Sequence, residues 1–340
     1  MERVSIIGLG LIGGSLGLAL KKAQSPGIEI VGFDKSWEAG NRAKKLGAVD
    51  RVAPDLPSAV EGAAMIIVAT PILSIRKVME EMAPHLREGC VVTDTGSTKA
   101  EVLGWAGELL PEHVNFVGGH PMAGKEKSGI EEAEAELFVD RPYCIVPTVT
   151  AGERAINTVV GLVQLVRARP VFIDAQEHDS YTAAVSHLPI MVSASLFSLA
   201  RASEAWPEMA GLAGSGFRDL TRLASGDPEM AHDISLTNRD SIVHWLDRMI
   251  GELRRFRDLI QGDQEELFKA LARVQMDRDA FLLKPEVSRR EPAEAEITSA
   301  GDRMAALLVG EHWVRRAKEI TKALDQRADE KEKRRRLRRR

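Results

Sequence analysis

Two cysteines in 340 residues leave no room for a disulfide framework. Cys90 and Cys144 lie far apart in apolar, strand-like segments, which suits a reducing compartment, and no metal-ligand spacing is visible. No apolar run reaches the roughly eighteen residues of a membrane span. The N-terminal apolar stretch has no basic leader and is broken by glycines, so it is expected to be mature structure rather than a secretory signal. Internal repeats are lacking. Together these absences point to a cytoplasmic globular protein, and 340 residues with 44% hydrophobic content suffice for two domains with cores.

A net positive charge is lacking too. Six arginines fall in the last seven residues (Arg334, Arg335, Arg336, Arg338, Arg339, Arg340), so a chain total of −4 leaves −10 for the rest. An acidic body argues against a nucleic-acid-binding core. The basic end reads as a solvated tail.

What is there falls into two patterns. Short β-rich runs at 4–7, 28–33, 65–69, 90–93, 114–117, 143–146 and 171–173 alternate with helical stretches such as 75–86 and 101–110. This alternation predicts an α/β fold, a doubly wound parallel Rossmann-type sheet over 1–174, with binding residues at the carboxyl ends of its strands. From Ala175 the strand signal stops. Helical patterns follow at 176–202, 207–212, 216–224, 228–260 and 264–283, giving an all-α domain over 175–283 whose apolar faces predict a homodimer. Residues 284–340 read as a linker with Pro285 and Pro292, one helix over 302–324, and the charged tail.

The chemistry-bearing residues sit where strands end. Val4-Ser5-Ile6-Ile7 runs into Gly8-Leu9-Gly10-Leu11-Ile12-Gly13-Gly14, with a helix expected to start near Gly13. Glycines at this spacing permit a tight turn, backbone approach to a pyrophosphate, and close helix–strand packing, with the positive helix end aimed at phosphate. Asp34 ends the second strand, where a carboxylate accepts hydrogen bonds from ribose hydroxyls and selects NAD over NADP, although Lys35 is adjacent and a plain strand-end turn residue is the alternative. Gly8, Gly10, Leu11, Ile12, Gly13, Asp34, Thr70 and Ser97 form the expected cofactor-binding set. In Asp94-Thr95-Gly96-Ser97-Thr98-Lys99, the spacing Thr98–Glu101 predicts a capping box with Thr98 as N-cap, freeing Ser97 to face the crevice; Ser97 as the cap is the alternative. Gly118-Gly119-His120-Pro121-Met122-Ala123-Gly124 predicts a histidine on an exposed, tightly turned loop, placed to exchange a proton.

The glycine loop, Asp-x-Gly-Ser-x-Lys (94–99), Gly-Gly-His-Pro-Met-Ala-Gly (118–124), Ser186-His187-Leu188-Pro189 and Gly216-Phe217-Arg218-Asp219-Leu220-Thr221-Arg222 occur in order. Together they resemble the prephenate/arogenate dehydrogenase family of tyrosine biosynthesis over roughly residues 1–283. The resemblance implies an NAD(P)-binding domain followed by a helical dimerisation domain, and oxidative decarboxylation of prephenate to 4-hydroxyphenylpyruvate, or of arogenate to tyrosine. It implies His120 as the catalytic histidine, Ser97 as the serine that orients it beside the nicotinamide, and Arg222 as the binder of a substrate carboxylate. His187 matches a histidine near cofactor and substrate, with Pro189 expected to kink its helix. Glu126, Arg218 and Asp219 match a charged group at the pocket entrance, with a surface salt bridge as the alternative for Asp219.

Lys125, Ile190 and Ala231 depart from the family pattern, and the stretch 186–193 looks closer to cyanobacterial arogenate-type enzymes. These positions bear on the choice between a keto acid and an amino acid side chain. The segment after Leu283 shows no strand pattern of a regulatory amino-acid-binding domain. A β-hydroxyacid dehydrogenase would need a lysine on the first long helix of the second domain, and 176–202 contains none. A dinucleotide-sensing regulator would give Ser97, His120 and Arg222 no joint purpose.

Overall fold

A computed structural model of the chain describes residues 2–23 and 27–283. The expected linker, the helix over 302–324 and the basic tail lie outside the described residues. The first part runs β1 (Glu2–Ile7), α1 (Leu11–Lys22), β2 (Ile28–Phe33), α2 (Trp37–Lys45), β3 (Arg51–Val52), α3 (Leu56–Val60), β4 (Met65–Val68), α4 (Ile72–Met82), β5 (Val91–Asp94), α5 (Ala100–Leu109), β6 (Asn115–Pro121), β7 (Pro142–Pro147), α6 (Glu153–Leu165) and β8 (Arg169–Phe172). The strands form one eight-stranded sheet in the order β3-β2-β1-β4-β5-β6-β7-β8. Alternate side chains of each strand enter opposite faces. Ile6, Ile30 and Ile67 pack with α1 and α6, whereas Ile7, Val31 and Ile66 pack with α3, α4 and α5. Burial on both faces explains why these strands read as continuous Val/Ile runs.

Two features differ from the sequence expectation. The sheet is mixed, because β6 and β7 pair antiparallel while every other neighbouring pair is parallel. No regular α-helix separates these two strands, so no helical crossover carries the chain back for a parallel return. The two-residue β3 was also too short to register as a β-rich run. The strand order reverses beside β1, which leaves a crevice beyond the carboxyl ends of β1 and β4.

The second part consists of α7 (Ala175–Thr182), α8 (Leu188–Arg201), α9 (Trp206–Gly211), α10 (Ser215–Thr221), α11 (Pro228–Thr237), α12 (Arg239–Gln261) and α13 (Gln264–Leu283). Between α7 and α8, residues Ala183–His187 form a widened π-type turn. Pro189 has no N–H to donate to the carbonyl four residues back, and the ladder opens there. The expected 228–260 helix is broken at Asn238, whose amide leaves the helix pattern to donate to the Asp179 carbonyl at 2.7 Å and to His187 Nδ1 at 3.2 Å. Ala183, Ile234 and Ile242 complete the core face built by α3, α4 and α5, so the helices dock on that side of the sheet.

The continuous helical segment Ala175–Arg201 is long and apolar enough to cross a membrane by length and composition, its most apolar eighteen-residue window having a mean hydropathy of 1.6, contrary to the expectation that no stretch would qualify. It also carries His178, Asp179 and His187, all buried by contacts with the rest of the fold. Only 17% of its most apolar window is buried within the chain. Leu199, Leu220, Leu253, Phe268 and Phe281 add further exposed apolar surface across these helices.

Candidate active site

The glycine turn divides its work among three residues. Gly8 has φ +93°, and a Cβ there would lie 2.5 Å from the Ala69 carbonyl oxygen. A Cβ on Gly13 would lie 1.9 Å from the Gly8 carbonyl oxygen, so this glycine lets α1 close on β1. Gly10 is different: a Cβ there would meet no atom within 4 Å. Gly10, Leu11 and Ile12 instead line a cavity of about 300 Å³ together with Thr70, Ser97 and His120. Helix α1 starts at Leu11, two residues earlier than expected, with no side-chain cap and no acidic residue in its first turn. Its first N–H groups therefore keep their capacity and partial positive charge for an anion. Thr70 Oγ1, buried without a partner, is a further polar atom at this cavity. Asp34 accepts from Leu9 N at 2.7 Å and Ser36 N at 2.8 Å, which holds its carboxylate beside the turn. These residues fit a dinucleotide: an uncapped helix end for pyrophosphate, open backbone at Gly10, and a fixed carboxylate at the end of β2.

A glycine pair separates these roles. Gly10→Ala should fold with a Tm near that of the parent and lose most dinucleotide affinity, measured by titration calorimetry. Gly13→Ala should lose stability itself, because its clash is with backbone. A Gly13→Ala protein that melts like the parent would contradict this division.

His120 is not on an exposed loop. Strand β6 continues through Pro121, pairing His120 with Cys144 of β7, and leaves the histidine 8% exposed. The flanking glycines serve close approach rather than a turn: a Cβ on Gly119 would lie 2.5 Å from the Asp94 carbonyl oxygen. Beneath them Asp94 and Lys99 are fully buried and ion-paired. Asp94 also accepts from Gly96 N at 2.8 Å and Gly119 N at 3.1 Å, while Lys99 Nζ donates to Gly119 O at 2.8 Å. The charged pair thus anchors the strand that carries His120.

The expected capping box does not form. Thr98 hydrogen-bonds Thr237 at 2.8 Å, and the start of α5 is capped from the helical part of the chain by Asp179, which accepts from Lys99 N at 2.7 Å and Ala100 N at 2.8 Å. A partner eighty residues away thus satisfies two orphan N–H groups at the helix start, while Thr98 is turned to Thr237 instead of to the N–H of Glu101. Ser97 is half-buried and lines the cavity, as expected, but no hydrogen bond joins it to His120. His120 Nδ1 meets His178 Nε2 at 2.8 Å, and His178 Nδ1 meets Asp179 Oδ1 at 2.8 Å. Burial is the main cause that holds His120 well below the usual histidine range, reinforced by His178, Lys99 and His187. Burial also lowers His178, against the raising effect of Asp179. Both rings are neutral at pH 7.

His178 and Asp179 escaped the sequence reading. The available signal was an adjacent His-Asp pair at the polar start of a helical pattern that turns apolar further on. His187 lies close enough to lower His120 but lines neither this cavity nor its neighbour. Its Nε2 is buried without a partner, and burial pushes its pKa down to about 4.

A second cavity of about 380 Å³ adjoins the first through Gly124, Lys125, Glu126, Gly226, Asp227 and Met230. Arg222 lines it and is ion-paired with Glu126, both side chains about half exposed. The backbone N–H of Glu126 and then Arg222 hold the Glu126 carboxyl below its ordinary range. Lys125, Ile190 and Ala231, the three departures from the family pattern, all line this second cavity. Lys125 turns its ammonium to the Glu132 carbonyl at 2.7 Å and to Glu134 at 3.4 Å. Arg218 and Asp219 are exposed on α10 and line neither cavity, so the structure does not bring them to the pocket entrance. Cys90 and Cys144 are both buried, with burial pushing the Cys90 thiol up to about 11. Among the described residues no cluster of three or more His, Cys, Asp or Glu could hold a metal.

The chain is similar to known proteins in both of its parts. Residues 16–172 match the family domain described as prephenate dehydrogenase, nucleotide-binding domain, and residues 174–273 the one described as prephenate dehydrogenase, dimerization domain. The chain is 38% identical over 286 residues to the prephenate dehydrogenase of Bacillus subtilis, covering 83% of this chain and 77% of that one. It is 34% identical over 262 residues to the cyclohexadienyl dehydrogenase of Zymomonas mobilis, covering 76% and 88%. Among solved structures it is similar to prephenate dehydrogenase from A. aeolicus in complex with hydroxyphenyl propionate and NAD+ (TM-score 0.77, 28% identity, 83% of this chain and 98% of that one). It is also similar to Synechocystis arogenate dehydrogenase (TM-score 0.71, 30% identity, 82% and 99%). With a nucleotide-binding sheet, a helical second part and a buried histidine between them, the chain belongs to the prephenate dehydrogenase family.

Proposed function

We propose that the chain catalyses the NAD-dependent oxidative decarboxylation of prephenate to 4-hydroxyphenylpyruvate, as a cytoplasmic homodimer whose exposed apolar helix faces meet in the dimer. The observation that carries this reading is His120: a neutral imidazole with one nitrogen engaged by His178, lining a cavity shared with an uncapped helix end. We assign 1–174 to cofactor binding and 175–283 to dimerisation and substrate contacts. Gly10, Leu11, Ile12, Thr70 and Asp34 would hold NAD, which supplies the hydride acceptor when bound.

The protein's own work is positioning and proton handling. His120 accepts the proton of the ring hydroxyl as the adjacent carbon becomes electron-poor, which keeps positive charge from building on the substrate. When carbon dioxide leaves, the ring oxygen becomes a phenolate. Proton balance requires that oxygen to be protonated in the product, so His120 holds the proton briefly and returns it. Arg222 offers a planar, permanently charged fork to a substrate carboxylate, exchanging its pairing with Glu126 for the substrate. Aromatisation supplies the driving force, leaving orientation as the main task.

The test is purified protein with NAD and prephenate, following reduced cofactor and 4-hydroxyphenylpyruvate. No turnover with either prephenate or arogenate would overturn the enzyme reading. A second reading, arogenate as the preferred substrate, is favoured by the clustering of Lys125, Ile190 and Ala231 on one cavity, where side-chain recognition would occur. A higher kcat/KM for arogenate in the same assay would decide for it.

A further inference from the structure

We propose that His178 and Asp179 form a positioning dyad that fixes the tautomer of His120 and steadies its transient positive charge. The proposal rests on the assignment of His120 as the proton acceptor, and its geometry can be followed atom by atom. Both Asp179 oxygens already accept backbone N–H groups, Oδ1 from Lys99 and Oδ2 from Ala100. A carboxylate in that role is an acceptor, so the 2.8 Å contact with His178 Nδ1 makes His178 the donor. A neutral His178 with its proton on Nδ1 presents a lone pair on Nε2. The 2.8 Å contact with His120 then requires a proton on His120 Nδ1. His120 Nε2 is left bare, and it is the nitrogen free to take a proton in the cavity that the residue lines. The whole assignment propagates from the N-terminus of α5, which belongs to the nucleotide-binding part, through α7 to a histidine on β6.

The same chain steadies the charged form. When the substrate oxygen gives its proton to His120 Nε2, the imidazolium keeps its Nδ1–H on His178, which keeps its own Nδ1–H on Asp179. No proton leaves the chain, so the one taken up can return to the same oxygen. Other groups facing His120 cannot serve in this way. Lys99 is cationic and bound to Asp94 and Gly119, and His187 is held by Asn238. Sequence spacing concealed the dyad because His178 and Asp179 come from the helical part of the chain.

The test compares the parent with His178→Leu, which removes the acceptor, and His178→Gln, whose carbonyl can still accept from His120 Nδ1. In histidine-labelled protein, nitrogen NMR should show parent His120 protonated on Nδ1, a mixture of tautomers in His178→Leu, and the parental form largely restored in His178→Gln. In the assay, kcat should fall on the order of 10²-fold in His178→Leu, with His178→Gln between the two and KM changing less than kcat. The acid limb of kcat/KM should also move to lower pH in His178→Leu, because His120 stays buried and its imidazolium loses the acceptor that steadies it. An unchanged tautomer in His178→Leu, or a kcat within twofold of the parent, would overturn the proposal. Should His178→Leu not fold, Asp179→Asn replaces it: its amide no longer compels His178 to donate, and the same release of the His120 tautomer is expected. The NMR arm needs no substrate, so a failure of the proposed reaction and a failure of the dyad give separate results.

Discussion

His120→Asn should lower kcat by about 10²–10⁴-fold, the usual contribution of a positioned base, which corresponds to roughly 3–5 kcal/mol in the barrier. The asparagine amide nitrogen sits near the position of the imidazole Nδ1 and can still donate to His178 Nε2. Strand β6, its pairing with β7 and the Asp94–Lys99 anchor are untouched by the change. What disappears is the bare nitrogen facing the cavity. Substrate KM and NAD affinity should therefore move by no more than a few-fold, because neither the uncapped end of α1 nor Arg222 is altered. Initial rates at saturating NAD, with titration calorimetry for the cofactor, separate the two effects. A raised KM with unchanged kcat would mean that His120 binds substrate equally in ground and transition states, and would remove it from proton transfer.

The parent's pH profile follows from the same burial. A base acts only when unprotonated, and its depressed pKa keeps His120 unprotonated as the pH falls through 6.5. Activity limited by this group should hold across that range and fail only in stronger acid. An ordinary solvent-exposed histidine would lose activity near its unperturbed value.

Local signals in the chain carried the nucleotide half well and the junction between the halves poorly. The glycine turn was legible because its reason is local: Gly8 and Gly13 each answer a clash with backbone within or beside the same strand–turn–helix unit. The β2 strand and α13 were legible for the same reason, since their periodicity is written in consecutive residues, whereas α5 begins and ends one residue before the expected 101–110. His120 was recognisable as reactive, yet its surroundings were misread. The glycines beside it look like a turn from the sequence, whereas they exist so that β6 can lie against Asp94 and Lys99. The capping box failed similarly, because Thr98 turns its hydroxyl to Thr237 and Asp179 caps α5 from a different helix. Asn238 broke a helix that periodicity made continuous, for hydrogen bonds to α7 and His187 that no local window contains. Asp219 was placed by its motif neighbours, but its helix turns it outward. Contacts between segments far apart in the chain decide each of these positions.

Lys99→Met should be the most damaging single change to stability. Its ammonium is fully buried against Asp94, and Met fills similar volume while removing the charge. Asp94 would remain as a buried carboxylate with only the N–H groups of Gly96 and Gly119, and Gly119 O would lose its donor. Breaking a buried pair in this way costs about 3–5 kcal/mol, a large share of a total stability of roughly 5–15 kcal/mol. On that scale Tm should fall on the order of 10 °C, read by calorimetry. If the uncompensated charge is the cause, Asp94→Asn added to Lys99→Met should recover part of the loss, because the neutral amide can still accept one of the two N–H groups. A double variant less stable than Lys99→Met would show instead that the carboxylate's hydrogen bonds outweigh the cost of its burial. Activity provides an independent reading of the same pair. Lys99 holds the carbonyl immediately before His120, so the stable remainder of Lys99→Met should turn over more slowly than the parent even at temperatures where it is fully folded.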